Sequence, residues 1–395
     1  MTQSIKTQPG CSSAPDLRAS DGFGPLPGAP PADPPPAHSP GLSCAIANPW
    51  RRTRIFTSAL VRADTFRLFL ACIGLILVAP TAHAAESEES PCADRHPMND
   101  AWFTGPMLAN TAATAPRGHY LIEPYVYDVT TQGTYSARGI RHSAPHENSY
   151  GSLTYVIYGL NDKTGIGLIP TFGYNSISNE SSSAVPGPGD LTVQIQRRLT
   201  QFLPCGRIPT ISVAVQQTLP TGKYDQLGNH PADGYGAGAF ATNPALNSQY
   251  YFWLPNRRIV RVRFDASDAF SSPVNIQNAS VYGTSAGFRG TAHPGSSLFL
   301  DASFEYSATR SWVMALDATY RNTGNTRVTG NYAQNSSSTA TLETNSGWSD
   351  AYGLAPAVEY SWRPWIGVLL GVRLIPAGHN TSDTITPAIA VNIVH

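Results

Sequence analysis

Charge is scarce in this chain. Asp, Glu, Lys and Arg make up 13% of its 395 residues, about half the share of roughly 25% found in an ordinary soluble protein. Lysine occurs only at positions 6, 163 and 223, and the 26 basic and 26 acidic residues cancel to a formal net charge of zero. Nucleic acid is therefore not an expected partner, because phosphate contacts need an excess of Lys and Arg.

Long apolar runs and helical periodicity are missing after residue 85. A helix that spans a bilayer needs about 20 apolar residues, and no stretch of this region offers them. Glycine (34), proline (33) and tyrosine (18) are plentiful instead. This composition is typical of turn-rich β structure.

The first 84 residues differ from the rest. Residues 1–60 are rich in proline, which predicts a disordered extension or a start codon assigned too early, with Val61 as the alternative initiator. Residues 61–84 have the layout of a secretory signal peptide. Arginines precede an 11-residue apolar run at 68–78, and Ala82-His83-Ala84 supplies a small-x-small cleavage site. Residues 85–117 are then a periplasmic segment and 118–395 the β domain.

The mature part alternates in polarity, as in "SLFLDASFEYS" at 297–307. Leu298, Leu300 and Phe304 would share one strand face, and Asp301 and Glu305 the other. Such a strand covers a water-soluble core or faces lipid in a membrane barrel with its polar side inward.

Twelve such segments predict twelve strands of the length that a tilted strand needs to cross a bilayer. They are 118–128, 149–160, 165–176, 189–200, 209–219, 246–255, 258–268, 297–307, 311–321, 349–362, 365–375 and 383–394. Short turns alternate with long polar loops at 129–148, 177–188, 220–245, 269–296 and 322–348. That sorting is typical of an antiparallel transmembrane β-barrel of the bacterial outer membrane with both termini in the periplasm. A secreted soluble β protein is the alternative.

The inward face predicts a lumen lined by charge and tyrosine. Arginines and carboxylates that pair in a narrow lumen avoid the cost of isolated buried charge. The residues predicted to line a solute path are Tyr125, Tyr127, Arg261, Arg263, Asp301, Glu305, Asp317, Arg321, Glu359 and Arg373. Pro124, Pro170, Pro356 and Pro387 fall within strands, where proline breaks a ladder bond, so bulges or rim positions are expected there.

From about residue 100 the chain resembles an outer-membrane "transporter" family linked to the MetA pathway of phenol degradation. The matching stretches are "PGPGDLTVQIQRRL" (186–199), "ISVAVQQTLPTGKYD" (211–225) and "FEYSATRSWVMALDATYR" (304–321). The resemblance implies an outer-membrane channel for aromatic or other hydrophobic compounds.

Two cysteines, Cys92 and Cys205, remain after the predicted cleavage site. Two cysteines in an exported protein suggest one disulfide, which would tie the N-terminal segment across the periplasmic mouth and make residues 85–117 a partial plug. Two free thiols are the alternative.

Taken together, the sequence predicts passive passage of small hydrophobic or aromatic solutes through a barrel in the outer membrane. Its expected partners are outer-membrane lipid, these solutes and the barrel-assembly machinery during biogenesis. No cofactor and no metal are predicted, and the protein is not expected to be an enzyme. A lipid-modifying enzyme of the outer membrane and a structural or surface-interaction barrel without transport are the alternatives.

Overall fold

The computed structural model describes residues 98–177, 181–203, 206–334 and 338–395. Two short 3-10 turns, Met98–Asp100 and Pro231–Asp233, accompany eighteen strands within these ranges. The strands are β1 (Tyr120–Tyr135), β2 (Arg141–Asn161), β3 (Thr164–Ile169), β4 (Thr171–Ile177), β5 (Gly187–Pro188), β6 (Leu191–Thr200), β7 (Thr210–Leu219), β8 (Ala241–Trp253), β9 (Ile259–Ser271), β10 (Val274–Gln277), β11 (Phe288–His293), β12 (Ser297–Ser307), β13 (Trp312–Thr323), β14 (Arg327–Gln334), β15 (Ser338–Asn345), β16 (Ser349–Arg363), β17 (Ile366–His379) and β18 (Thr381–Val394).

Fourteen of these segments form one antiparallel sheet that closes into a barrel of twelve strands, in which the two-residue β5 pairs with β4. The order is β1-β18-β17-β16-β13-β12-β9-β8-β7-β6-β3-β2, and β2 pairs again with β1 to close the ring. Tyr125 lies opposite Leu153 on one side and Ala390 on the other. β3 and β4 form one barrel strand that is interrupted at Pro170, and both pair with β2. The predicted twelve-stranded antiparallel barrel is confirmed.

The two faces of each strand differ as the alternation predicts. In β12, Phe304 is 53% exposed, whereas its neighbours Ser303 and Glu305 are fully buried. Exposed apolar side chains recur around the outer wall, including Val126, Ile195, Val215, Leu316 and Leu370. Because such a belt is unfavourable in water and matches the hydrocarbon layer, the protein is a barrel of the bacterial outer membrane. Among the described residues, no helix is long and apolar enough to span a bilayer.

The connections sort into two ends. Tight links join β2 to β3, β8 to β9, β12 to β13 and β16 to β17 at what we term the short-turn end. β1 begins and β18 ends at this short-turn end, where the backbones of Tyr120 and His395 form two hydrogen bonds of 2.9 Å with each other. The opposite end, which we term the loop end, carries the longer connections. Outer-membrane barrels keep short turns in the periplasm.

Some predicted loop boundaries were wrong. The loop predicted at 129–148 is only 136–140, because β1 and β2 continue to Tyr135 and from Arg141. Likewise β8 begins at Ala241 rather than 246, and β17 and β18 are separated by Asn380 alone. These extensions pair with one another beyond the apolar belt, as Thr134 does with His142. Polar strand ends outside the membrane carry no alternating hydrophobic signal, so the sequence pattern missed them.

A second sheet forms within segments predicted to be loops. β10, β11, β14 and β15 make a four-stranded antiparallel sheet at the loop end. Its apolar side is a small core of Ala239, Val274, Ile276, Phe288, Ala292 and Val328. Tyr282 joins this core and donates a hydrogen bond of 2.6 Å to the carbonyl of Ala237. The connection between β7 and β8 is thereby fastened to the sheet.

The motif residue Asp190 closes the same end. It is 1% exposed, and its carboxylate accepts the backbone N–H groups of Gly222, at 2.9 Å, and Ala237, at 2.7 Å. The P-G-D-L stretch at 188–191 and the L-P-T-G stretch at 219–222 therefore meet. Both motifs build the loop end.

Candidate functional site: the barrel lumen

All ten residues predicted for the solute path lie inside the barrel. They are between 0 and 7% exposed, and they come from β1, β9, β12, β13, β16 and β17. The inward position of these residues follows from the alternation of side chains along a strand, because successive inward positions on one strand are two residues apart. Their role as a path for solute stays a prediction.

The charged part of the lumen centres on Glu305 of β12. Arg261 lies directly opposite on β9 and donates through Nε and Nη2 to both carboxylate oxygens of Glu305. Arg263 approaches the same carboxylate, with Nε 3.2 Å from Oε2. One acid is therefore held between two arginines, and such bidentate pairing is what makes buried charge tolerable.

The strands from β16 through β17, β18, β1 and β2 to β3 form an apolar wall. Their inward residues and Met107 make one buried cluster comprising Met107, Tyr125, Tyr127, Val129, Leu153, Ile169, Ala355, Leu369, Ala388 and Ala390. Tyr125 also stands edge-on to Tyr155, with ring centroids 6.1 Å apart. Aromatic and aliphatic lining of this kind is what binding sites for hydrophobic ligands present.

The wall opposite, on β6, β7 and β8, carries neutral amides and hydroxyls. Gln216 donates to Gln194 and accepts from Asn243, both at 2.9 Å, and Thr192 pairs with Thr218 at 2.9 Å. Sequence reasoning missed this wall, because Gln, Asn and Thr are ordinary on either face of a surface strand. The lumen thus has three sectors, charged, apolar and amide, of which the first two overlap on β16 and β17 through Glu359 and Arg373.

Residues 98–117, which we term the lumen segment, run inside the barrel. At the short-turn end, Trp102 lies under the guanidinium of Arg310 (4.6 Å) and Phe103 under that of Arg261 (4.4 Å). The backbone N–H groups of Thr104 (2.8 Å) and Gly105 (3.2 Å) then donate to Glu359. One carboxylate of the barrel wall therefore fixes Thr104 and Gly105 of this segment.

Deeper in the barrel, two further wall acids hold the lumen segment. Asp317 accepts the N–H groups of Leu108, at 3.2 Å, and Ala109, at 3.4 Å, while Asp265 accepts that of Asn110. Arg263 donates to the carbonyl of Ala109 at 2.8 Å. All these contacts are to backbone atoms, so the residue types of the segment carry no signal of them.

The lumen segment then returns to the end at which it entered. Gln249 of β8 accepts the N–H of Ala112 (3.2 Å), and Gln196 of β6 donates to the carbonyl of Thr111 (2.7 Å). Thr114 donates to the backbone carbonyl of Asp162, in the β2–β3 turn, at 2.8 Å. Residues 102–114 thus form a loop that touches the charged wall on the way in and the amide wall on the way out.

Met107 marks where this loop meets the apolar wall. A Cβ placed on Gly371 of β17 would lie 2.8 Å from the Met107 sulfur and 2.9 Å from Cβ of Ala357. On the outer surface at the same place is an apolar groove of about 760 Å³, lined by Val126, Pro356, Leu370, Gly371, Pro387 and Ile389, among others. Pro356 and Pro387 are therefore mid-strand residues beside this groove, and only Pro170 sits at a strand break.

The remaining sequence predictions fall outside this geometry. Cys92 and Cys205 lie outside the described residues, so the predicted disulfide stays a prediction. Among the residues that the structure describes, no group of three or more His, Cys, Asp or Glu side chains is arranged to hold a metal ion.

Comparison with known proteins bears on the fold. No protein-family model matches the chain, and no curated protein matches its sequence. Among solved structures, the COG4313 outer membrane channel from Pseudomonas putida F1 superposes with a TM-score of 0.52 at 15% identity, over 72% of this chain and 98% of that one. The Ralstonia pickettii toluene transporter TbuX gives a TM-score of 0.37 at 10% identity, covering 71% of this chain and 90% of that one. The first similarity supports the outer-membrane barrel fold, and the link to phenol degradation stays a prediction.

Proposed function

We propose that the protein is an outer-membrane channel that passes small hydrophobic or aromatic compounds by passive diffusion. One observation carries the proposal: a buried cluster of tyrosine and aliphatic side chains lines the lumen on six of the twelve barrel strands. A pore for hydrophilic solutes is lined with polar groups and water, whereas this cluster would favour contact with hydrophobic solutes. Stacking on Tyr125 and Tyr127, with hydrogen bonds to the neighbouring polar sectors, would give weak selectivity for aromatic solutes.

We further propose that residues 85–117 act as a partial plug, with the lumen segment as its inner part. Its backbone bonds to Glu359, Asp317 and Asp265 span the charged wall. Both ends of the loop contact the short-turn end, at Arg310 and Asp162. The loop can therefore withdraw toward that end without breaking a barrel strand. Passage of solute would require this withdrawal or a gap beside the loop.

The test is conductance of the refolded, signal-free protein in planar bilayers, with and without phenol or benzoate. Discrete channels whose current falls when aromatics are added support the proposal. The test variant is Tyr127→Leu, which keeps an apolar side chain at 127 but removes the aromatic ring. It is expected to weaken the block of the current by phenol or benzoate. Silence from protein that shows heat-modifiable gel mobility would count against transport through the lumen.

A surface-interaction barrel is the second candidate. The observation in its favour is the four-stranded sheet at the loop end, which has a core of its own. In that case the folded protein stays silent in bilayers, and deleting 274–292 leaves the barrel foldable but abolishes binding to cells.

A further inference from the structure

We propose that the lumen binds a small monovalent cation, an alkali ion or a primary ammonium group, between Asn247, Asp265 and Asp301. This site is separate from the apolar wall and does not rest on the proposed passage of hydrophobic solutes. It lies on three neighbouring strands, β8, β9 and β12, in the middle of the barrel.

Strand register brings the three side chains to one level. Asn247 is the partner of Asp265, and Asp265 is the partner of Asp301, in consecutive antiparallel pairs. Side chains directly opposite in such pairs have Cβ atoms about 4.5–5.5 Å apart, and like charges in this position repel. All three residues are nearly inaccessible, at 2, 4 and 1% exposed. Two carboxylates and an amide therefore share one buried level of the wall.

Four oxygen atoms of this group accept no hydrogen bond from the described residues. They are Oδ1 of Asn247, Oδ1 of Asp265 and both carboxylate oxygens of Asp301. The other oxygen of Asp265 accepts the N–H of Asn110. A buried acceptor without a donor destabilises the folded state, and more so when it is charged. Four unpartnered oxygen atoms at one level of the wall would therefore be stabilised by a positively charged ligand.

Nearby arginines offset the acids only in part. Arg263 and Arg373 interact electrostatically with Asp301, but neither donates a hydrogen bond to it. Arg263 already binds Glu305 and the carbonyl of Ala109, and Nε of Arg373 has no hydrogen-bond partner among the described residues. A monovalent cation fits this level better than a divalent one, because Arg263 and Arg373 already offset part of the negative charge of Asp265 and Asp301. Carboxylate and amide oxygens are suitable ligands for hard cations and hydrogen-bond acceptors for ammonium groups.

The experiment measures thermal unfolding of the full, folded protein in detergent by gel mobility. Chloride salts of sodium, potassium, methylammonium and choline are compared at equal ionic strength. Choline is the reference, because its quaternary headgroup carries no N–H donor and is too large for a site between adjacent strands. A ligand that binds only the folded state raises the unfolding midpoint, and the stabilisation grows with the logarithm of the ligand concentration once that exceeds Kd. A midpoint higher in sodium or potassium than in choline identifies an alkali-ion site, and a midpoint higher in methylammonium alone identifies an ammonium site.

Asp301→Asn is the decisive variant. It keeps the shape, removes the repulsion from Asp265 and is expected to fold, but to lose the cation dependence of the midpoint. Glu343→Gln is the matched control, because Glu343 pairs with Arg327 on the exposed face of β15, and it should keep the dependence. If Asp301→Asn does not fold, Asn247→Ala must weaken the cation dependence while leaving both carboxylates in place.

Three outcomes would overturn the proposal. One is the same midpoint in all four salts. Another is a dependence that survives both Asp301→Asn and Asn247→Ala, which would place the cation elsewhere. The third is a midpoint that changes with pH but not with the cation, since two adjacent carboxylates can share a proton instead.

Discussion

At the scale of single residues, buried charge distinguishes this lumen from the surface. Glu305 is fully buried and bound to Arg261, with Arg263 at 3.2 Å. The pair Arg327–Glu343 has a similar distance, 3.0 Å, but both side chains are more than half exposed. Both are arginine–carboxylate pairs, but the buried one is bidentate, has a second arginine beside it and is desolvated.

We therefore expect Glu305→Ala to destabilise the barrel by roughly 3–5 kcal/mol, because it leaves two arginines buried without their counter-charge. Glu343→Ala should cost ~0–1 kcal/mol, as for an exposed pair. Urea unfolding in phospholipid vesicles measures both. Equal effects for the two variants would show that the lumen around Glu305 is as well solvated as the surface.

Gly371 is the residue at which the wall leaves room for the lumen segment. Gly371→Ala should cost about 1–3 kcal/mol through overpacking, because its Cβ would contact Met107 and Ala357. Gly165→Ala is the matched control, since a Cβ there meets nothing closer than 3.5 Å. Met107→Ala should recover the part of the loss that comes from the sulfur in the double variant, while the contact with Ala357 remains. Additive effects of the two substitutions would show that Met107 and Gly371 are not in contact.

At the scale of elements, the lumen segment has no secondary structure beyond its first turn. Its backbone donors are satisfied by wall carboxylates rather than by a helix or sheet. Three strands, β9, β13 and β16, supply these acids. An element held in this way depends on the charge of its acceptors, because hydrogen bonds to ionised groups are roughly twice as strong as neutral ones.

The combined variant Asp265→Asn, Asp317→Asn and Glu359→Gln should therefore loosen the lumen segment and increase channel opening in planar bilayers. The control is Asp350→Asn, which removes an acid at the loop end that pairs with His379 at 2.8 Å. A folded triple variant with wild-type conductance would mean that the segment is held by its aromatic base at Trp102 and Phe103 instead.

At the scale of the whole molecule, the outer wall must match the thickness of the bilayer. Leu316 lies in the middle of β13 and is 42% exposed, whereas Leu199 is 57% exposed near the end of β6. Leu316→Arg is expected to cost ~2–4 kcal/mol and Leu199→Arg only ~0–1 kcal/mol, because the cost of a charge falls from midplane to interface. Urea unfolding in vesicles measures the difference. The reverse order would place the membrane belt nearer the short-turn end.

The sequence by itself determined the barrel. Strict alternation fixed which side chains face lipid and which face inward, so the pattern alone assigns Tyr125, Arg261 and Glu359 to the lumen. The number of alternating segments long enough to span the bilayer predicted the number of barrel strands. β12 has the bounds that its pattern predicts. These are local properties, because the alternation of polar and apolar side chains along a strand depends only on residues close in the sequence.

Only the tertiary structure decided how the lumen is filled. The path of residues 98–117, the level shared by Asn247, Asp265 and Asp301, and the meeting of Asp190 with Gly222 and Ala237 all join residues far apart in the chain. They depend on barrel closure and on register between strands. The contacts are largely from wall side chains to backbone atoms, which every sequence has. No local pattern could therefore reveal them.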